Sequence, residues 1–208
     1  NQETHWLWHN DNVDLNSFDL VVLPGGFSYG DYLRCGSIAA KSKIIKSVIE
    51  FANSGGLVLG ICNGFQILTE TGLLPGILQQ NKYQKFICKN VYVKINDKEN
   101  KYFKNIKKEI LELHIAHNEG NYFCSNDELK LIEDNNQIAV TYCDKDGTCN
   151  NNSNPNGALK NIAGIFLSIV PFLYFMLFKS FFTCNILSGV PASLTYSLVL
   201  YAKNLFHM

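Results

Sequence analysis

Residues Gly56 to Gly72, GLVLGICNGFQILTETG, constrain this chain more than any other stretch. The apolar run Leu57-Val58-Leu59 reads as a strand, and Phe65-Gln66-Ile67-Leu68 opens a helix that ends at Gly72. Between them, Gly60-Ile61-Cys62-Asn63-Gly64 has room only for a tight turn with Cys62 at its bend. A side chain there projects from the carboxyl end of a strand toward the unpaired N–H groups and positive dipole end of the next helix, an environment that favours a thiolate. Glycines at 60 and 64 let strand and helix approach closely, which is the logic of a nucleophile elbow with Cys in place of Ser. The same pattern also fits a structural Cys buried at a strand end.

A second stretch, Asp19 to Gly36 (DLVVLPGGFSYGDYLRCG), again runs from a strand into a glycine-rich loop. Gly25-Gly26 can aim a backbone N–H at an oxygen held over Cys62, and two such loops converging on one thiol point to acyl transfer. Between them, Ser37 to Asn53 carries Ile38, Ile45, Val48, Ile49 and Ala52 at helical spacing, closed by Asn53-Ser54-Gly55-Gly56. Strand, loop, helix, strand, elbow and helix in succession predict an α/β parallel sheet, whose ligands bind beyond the strand carboxyl ends.

Further strands are expected at Thr4–His9, Lys85–Ile95, Glu112–His117 and Gln137–Tyr142, with Asn96–Lys108 as a solvated connection. In Lys85–Ile95 the alternation of Phe86, Cys88, Val91, Val93 and Ile95 slips near Asn90, and Cys88 is assigned to the core. With 208 residues the chain suffices for one domain, and 18 basic against 18 acidic residues leave no nucleic-acid footprint. Its one arginine, Arg34, sits inside the GDYLRCG loop, where a planar fork differs from the lysines used elsewhere. Seven cysteines without a CxxC pair or metal spacing predict a reducing cytosol.

PGGFSYGDYLRCG, LGICNGFQIL, TGLLPG and AHNEGNYF together resemble the glutaminase subunit of phosphoribosylformylglycinamidine synthase, a class I glutamine amidotransferase of purine biosynthesis. The likeness covers roughly residues 5 to 165 and, through NPNG at 154–157 and IAGI at 162–165, continues to the edge of that domain. It implies a flavodoxin-like α/β parallel sheet, incomplete at both ends and short of one central strand. It also implies that Cys62 attacks the side-chain amide of glutamine to form a γ-glutamyl thioester, with the N–H groups of Gly26 and Asn63 holding the oxyanion. Gly25, Gln66, His117, Glu119 and Arg34 are the expected substrate contacts, with Asn118 standing where the family usually has glycine in AHGEG. Ammonia would pass to a large synthetase subunit, accompanied by a small accessory subunit. ATP and Mg are used by that partner, and this subunit holds no cofactor or metal.

After Phe166 the likeness stops. The family next has a Pro-His-Pro-Glu motif that completes a Cys-His-Glu triad, yet no Asp or Glu follows Asp146 here and the one later His is His207. Leu167–Met208 instead carries nine aromatics and two charges, Lys179 and Lys203. Asn161–Phe178 and Ser180–Ala202 are long enough for membrane spans, which would make a membrane a partner if the tail is genuine. The favoured expectation is a domain over 1–165 and an out-of-frame tail over 166–208, because Pro171 and Pro191 interrupt both runs. Impaired glutaminase turnover follows from that expectation. Its competitors are a catalytically silent docking domain or pseudogene product, and another Cys hydrolase of similar fold.

Overall fold

In this computed structural model, residues 3–31, 33–100 and 103–167 are described in full, together with the backbone of 172–174 and 199–203. The elements follow in the order β1 (Glu3–Leu7), β2 (Leu20–Leu23), α1 (Lys43–Asn53), β3 (Leu57–Gly60), α2 (Asn63–Glu70), β4 (Ile77–Gln79), β5 (Ile87–Ile95), β6 (Ile110–His117), β7 (Asn121–Phe123), α3 (Asn126–Asp134), β8 (Ile138–Cys143), β9 (Ile162–Leu167), β10 (Phe172–Tyr174) and β11 (Val199–Lys203).

Helix α1 forms because Ile44, Ile45, Val48, Phe51 and Ala52 fall on one face and are buried. It begins at Lys43 and not at Ser37: Ala39–Lys41 make a short 3-10 turn and Ser42 is extended (ψ 157°), so the apolar spacing from Ile38 does not carry one continuous helix. Its far end closes as the glycines require. Gly55 has φ +95°, Gly55 N–H donates to Ala52 O at 3.0 Å and Gly56 N–H to Phe51 O at 2.8 Å.

Strands β2 and β3 pair in parallel, Leu20 opposite Leu57 through Leu23 opposite Gly60, so both loops that leave them open on the same edge. They belong to a four-stranded sheet of order β1-β11-β2-β3, in which β11 is antiparallel to both neighbours. The position between β1 and β2 is thus filled from the tail. A five-stranded antiparallel sheet, β10-β9-β8-β5-β6, continues the architecture, with β10 lying beside β3, and β4 and β7 form a small ribbon. Parallel pairing is confined to β2 and β3 among the described ladders. One apolar core joins the two larger sheets: Val21, Leu23, Val48, Phe65, Leu68, Val93, Ile115, Val140 and Ile165 all belong to it.

Cys88 is exposed, which corrects its assignment to the core. The β5–β6 register runs unbroken from Ile87 opposite His117 to Lys94 opposite Ile110, so there is no slip at Asn90. Val91, Val93 and Ile95 face inward, and Cys88 and Asn90 fall on the opposite, outward face. An apolar residue type on the outer face had imitated a break in the alternation.

Ile162–Leu167, at the start of the apolar run Asn161–Phe178, is strand β9 paired with β8. Most of the remainder of both runs lies outside the described residues. Among the described residues no helix is long and apolar enough to cross a membrane.

Candidate active site

The elbow is as tight as its glycines suggest. Cys62 adopts φ 53°, ψ −108°, a backbone region costly for a side-chain-bearing residue, by about 1–3 kcal/mol. Gly64 lies so near the end of β2 that a Cβ built on it would stand 2.0 Å from Leu23 O, and one on Gly60 would meet Leu68 Cδ1 at 2.4 Å. Leu23 O in turn accepts from Ile61 N–H at 2.9 Å, tying the end of β2 to the turn. α2 then starts at once, with Phe65 and Gln66 N–H both donating to Cys62 O.

The diglycine loop meets the thiol. A Cβ on Gly25 would sit 3.2 Å from Cys62 Cβ and 3.9 Å from its Sγ, whereas one on Gly26 would meet nothing within 4 Å. Gly25 is therefore the close neighbour and Gly26 borders open space. Cys62 itself is 9% exposed.

Around this contact runs a polar network. Asn63 Oδ1 accepts from Ser28 N–H at 3.2 Å, and Asn63 Nδ2 donates to Gln66 Oε1 at 2.8 Å and to Asp31 Oδ1 at 3.4 Å. Gln66 Nε2 donates to Glu119 O at 2.9 Å, so the elbow helix is laced to the β6–β7 turn. The buried Cys35 thiol donates to Glu119 Oε2 at 3.2 Å; burial first, then the carboxylates of Glu119 and Asp31, push its pKa up and keep it a thiol. Burial also raises Asp31, with the charge of Glu119 adding to it. Tyr29 and Asp31 both have positive φ, so strain gathers in the loop that bonds Asn63.

The AHNEG turn is held from behind by two asparagines. Asn81 Nδ2 donates to His117 O and Lys85 O, and its Oδ1 accepts from Gly120 N–H and pairs with His117 Nδ1 at 3.1 Å. Asn156, fully buried, donates to Gly120 O at 2.7 Å and to the Tyr142 hydroxyl at 3.2 Å. Gly120 is needed here because a Cβ would overlap the His117 ring, 2.3 Å from Cε1. Burial holds His117 down at about 4, so the ring is neutral near pH 7. Burial pushes the Tyr142 hydroxyl well above the usual tyrosine range, against the opposing pull of its bond to Asn156.

Of the residues expected from sequence, Cys62, Gly25, Asn63, Gln66 and Glu119 are joined by these contacts, and Gly26 stands on the rim. His117 lies behind the turn against Asn81. Arg34 makes a bidentate pair with Glu70 on α2, Nε to Oε1 at 2.6 Å and the second nitrogen to Oε2 at 2.7 Å, with Arg34 67% exposed and Glu70 9%. Sequence reasoning passed over Asp31, Cys35, Asn81, Tyr142 and Asn156. In a chain this rich in asparagine a buried clamp carries no local signal, although Asn156 was within reach, lying inside the NPNG segment that carries the likeness. A surface cavity of about 550 Å³ bounded by Asn96, Asp97, Ile132, Glu133, Asn136 and Ile138 touches none of the elbow residues, so chemistry and not cavity size locates the site.

Residues 5–168 match the CobB/CobQ-like glutamine amidotransferase domain. The chain is 69% identical over 160 residues to the phosphoribosylformylglycinamidine synthase subunit PurQ of Pelagibacter ubique, covering 77% of this chain and 70% of that protein. With the PurQ of a Synechocystis species it shares 52% over 165 residues, 79% of this chain and 73% of the relative. Among solved structures, PurLQS of Thermotoga maritima superposes with TM-score 0.66 at 35% identity, over 80% of this chain and 71% of that one. A glutamine amidotransferase of the same organism matches at TM-score 0.50 and 19% identity, over 79% of this chain and 58% of that one, which speaks for the fold alone. The strained cysteine elbow, the diglycine loop against it and these likenesses agree: the chain belongs to the PurQ family, the glutamine amidotransferase subunits of phosphoribosylformylglycinamidine synthase, and has their α/β fold.

Proposed function

We propose that this chain is built to release ammonia from the side-chain amide of glutamine at Cys62, for the amidation of formylglycinamide ribonucleotide by a synthetase partner. The observation that carries the reading is the contact between the strained Cys62 elbow and Gly25. Cys62 Sγ attacks the amide carbon, the N–H groups of Gly26 and Asn63 receive the oxyanion, and ammonia leaves a γ-glutamyl thioester that water cleaves. Gln66, Glu119, His117 and Arg34 are proposed to shape the glutamine pocket, the first two directly and the last two by bracing the loops. The large synthetase subunit and a small accessory subunit are the partners, in keeping with the likeness to PurLQS of Thermotoga maritima. ATP and Mg belong to the synthetase, in the cytoplasm.

Turnover in this chain is proposed to be impaired. Residues 147–208 hold no carboxylate and one histidine, His207, so the base and its orienting carboxylate are not where a triad of this family places them. Loss of triad partners lowers rates by about a thousandfold or more. We assign residues 1–165 to the amidotransferase domain and 166–208 to an out-of-frame tail; the family match over 5–168 supports that division. Sequencing the gene across codon 166 tests it: a second frame encoding a Pro-His-Pro-Glu segment supports the slip, and an intact frame with membrane-bound protein rejects it.

The site itself is tested with a glutamine-analogue electrophile and peptide mapping. Selective labelling of Cys62, lost in Cys62→Ala, is expected together with little glutamate release. Absence of labelling with retained binding to the synthetase would leave a docking role, and rapid glutamate release abolished by Cys62→Ala would overturn the impairment.

A further inference from the structure

The outward face of the β5–β6 pair carries a second thiol with a base beside it. Cys88 Sγ lies 3.4 Å from His114 Nε2, His114 Nδ1 lies 2.9 Å from Asn90 Oδ1, and Asn90 Nδ2 donates to Glu112 Oε1 at 3.0 Å. The strand register produces this line. Asn90 stands opposite His114, Tyr92 opposite Glu112 and Cys88 opposite Ala116, so Cys88 and His114 are diagonal neighbours on one face.

The order of hydrogen bonds fixes where the proton is. An ionised carboxylate only accepts, so Asn90 turns its amide nitrogen to Glu112 and its oxygen to His114. That oxygen requires a donor, so Nδ1 carries the imidazole proton and Nε2 presents its lone pair to the thiol. Nucleophile, base and orienting group then follow in sequence, the arrangement of an activated thiol. Cys149 supplies the contrast. It too is exposed, but its neighbours are Thr141 Oγ1 at 3.5 Å and Gly147 O at 3.8 Å, neither of them a base.

We propose that Cys88 is a modification site that exchanges with low-molecular-weight disulfides of the glutathione type. The thiol proton passes from Sγ to His114 Nε2, and the thiolate sulfur attacks one sulfur of the disulfide. A new S–S bond forms to Cys88 as the S–S bond of the reagent breaks, and the departing thiolate takes the proton back from the imidazolium. One disulfide is consumed and one is made, so no outside oxidant enters. Cys88 is exposed on this sheet face, and nothing in the step involves the elbow.

The test is incubation of the full chain with glutathione disulfide at neutral pH, quenching by alkylation at set times, and peptide mass mapping of Cys88 and Cys149 in the same sample. Cys88 is expected to gain a glutathionyl group about tenfold or more faster than Cys149, a modest share of what a positioned base supplies. His114→Gln should bring Cys88 down to the rate of Cys149, and Asn90→Ala, which frees the ring, should lower it several-fold. Circular dichroism checks that both variants remain folded, and the wild-type comparison stands without them. Equal rates at the two cysteines in the wild type, or an unchanged ratio in His114→Gln, would overturn the proposal.

Discussion

Replacing Asn81 by Ala removes one side chain and four hydrogen bonds together. Asn81 is 1% exposed, and its amide holds His117 O, Lys85 O, Gly120 N–H and His117 Nδ1 at 2.8–3.1 Å. The two carbonyls each keep a second lone pair and suffer less. Gly120 N–H and the His117 ring N–H lose an acceptor where water is excluded, and at about 1–3 kcal/mol per orphaned buried group the loss comes to about 3 kcal/mol or more. For a chain of this size each kcal/mol lowers Tm by about 2–4 °C, so Asn81→Ala should melt about 6–12 °C early. The β6–β7 turn also presents Glu119 O to Gln66, so labelling of Cys62 by a glutamine analogue should slow in the same variant. Asn135→Ala is the control: it removes one exposed hydrogen bond to Leu131 O. Thermal and urea melts followed by circular dichroism read the difference. An Asn81→Ala protein that melts within about 2 °C of its parent would refute the clamp, since that corresponds to less than a single orphaned group.

Burial keeps His117 at about 4 in the folded chain against about 6.5 when unfolded, so the unfolded state binds more protons between those values. Stability should therefore be full above pH 6.5 and fall as the pH drops toward 4, by up to about 3 kcal/mol; urea melts across that window should lose this slope in His117→Gln. Gly64→Ala forces a methyl to 2.0 Å from Leu23 O, and since both sides are backbone the expected cost is at the upper end of about 1–3 kcal/mol, seen as a lower urea midpoint. Ser125→Ala dismantles the capping box of α3, in which Ser125 Oγ accepts from Glu128 N–H while Glu128 reaches back to Ser125 N–H, and should cost about 1 kcal/mol in the same assay. Arg34→Lys should change Tm little, because an exposed pair contributes about 0–1 kcal/mol, although one partner, Glu70, is mostly covered; a loss beyond 2 kcal/mol would show that the fork fixes the loop.

The elbow was legible because its demands are local. Strand, turn and helix must be joined across five residues, and only glycine at 60 and 64 permits that, so the sequence displays the constraint where it acts. The α1 cap at Gly55 was legible for the same reason. What escaped reading is held over long separations. Asn81 reaches His117 and Asn156 reaches Gly120, each across 36 residues, and nothing in the composition of either neighbourhood marks the partner. Cys88 was misplaced because hydrophobicity was taken to mean burial, when the register puts it opposite Ala116 on the outer face. The start of α1 was misplaced because Ile38 continues the apolar spacing through a 3-10 turn that does not continue the helix. Sheet order was the least legible of all: β11, far along the chain, lies between β1 and β2.

The Leu23 carbonyl accepts from Ile61 N–H and also abuts Gly64. One atom of β2 thereby helps to set the height of Cys62 above the sheet edge. Substituting an exposed residue of α1 such as Lys46 should leave the sulfur in place. A single-residue indel inside Leu20–Leu23 would instead displace the Cys62 turn and the diglycine amides together, which makes that four-residue strand the gauge against which the whole cleft is cut.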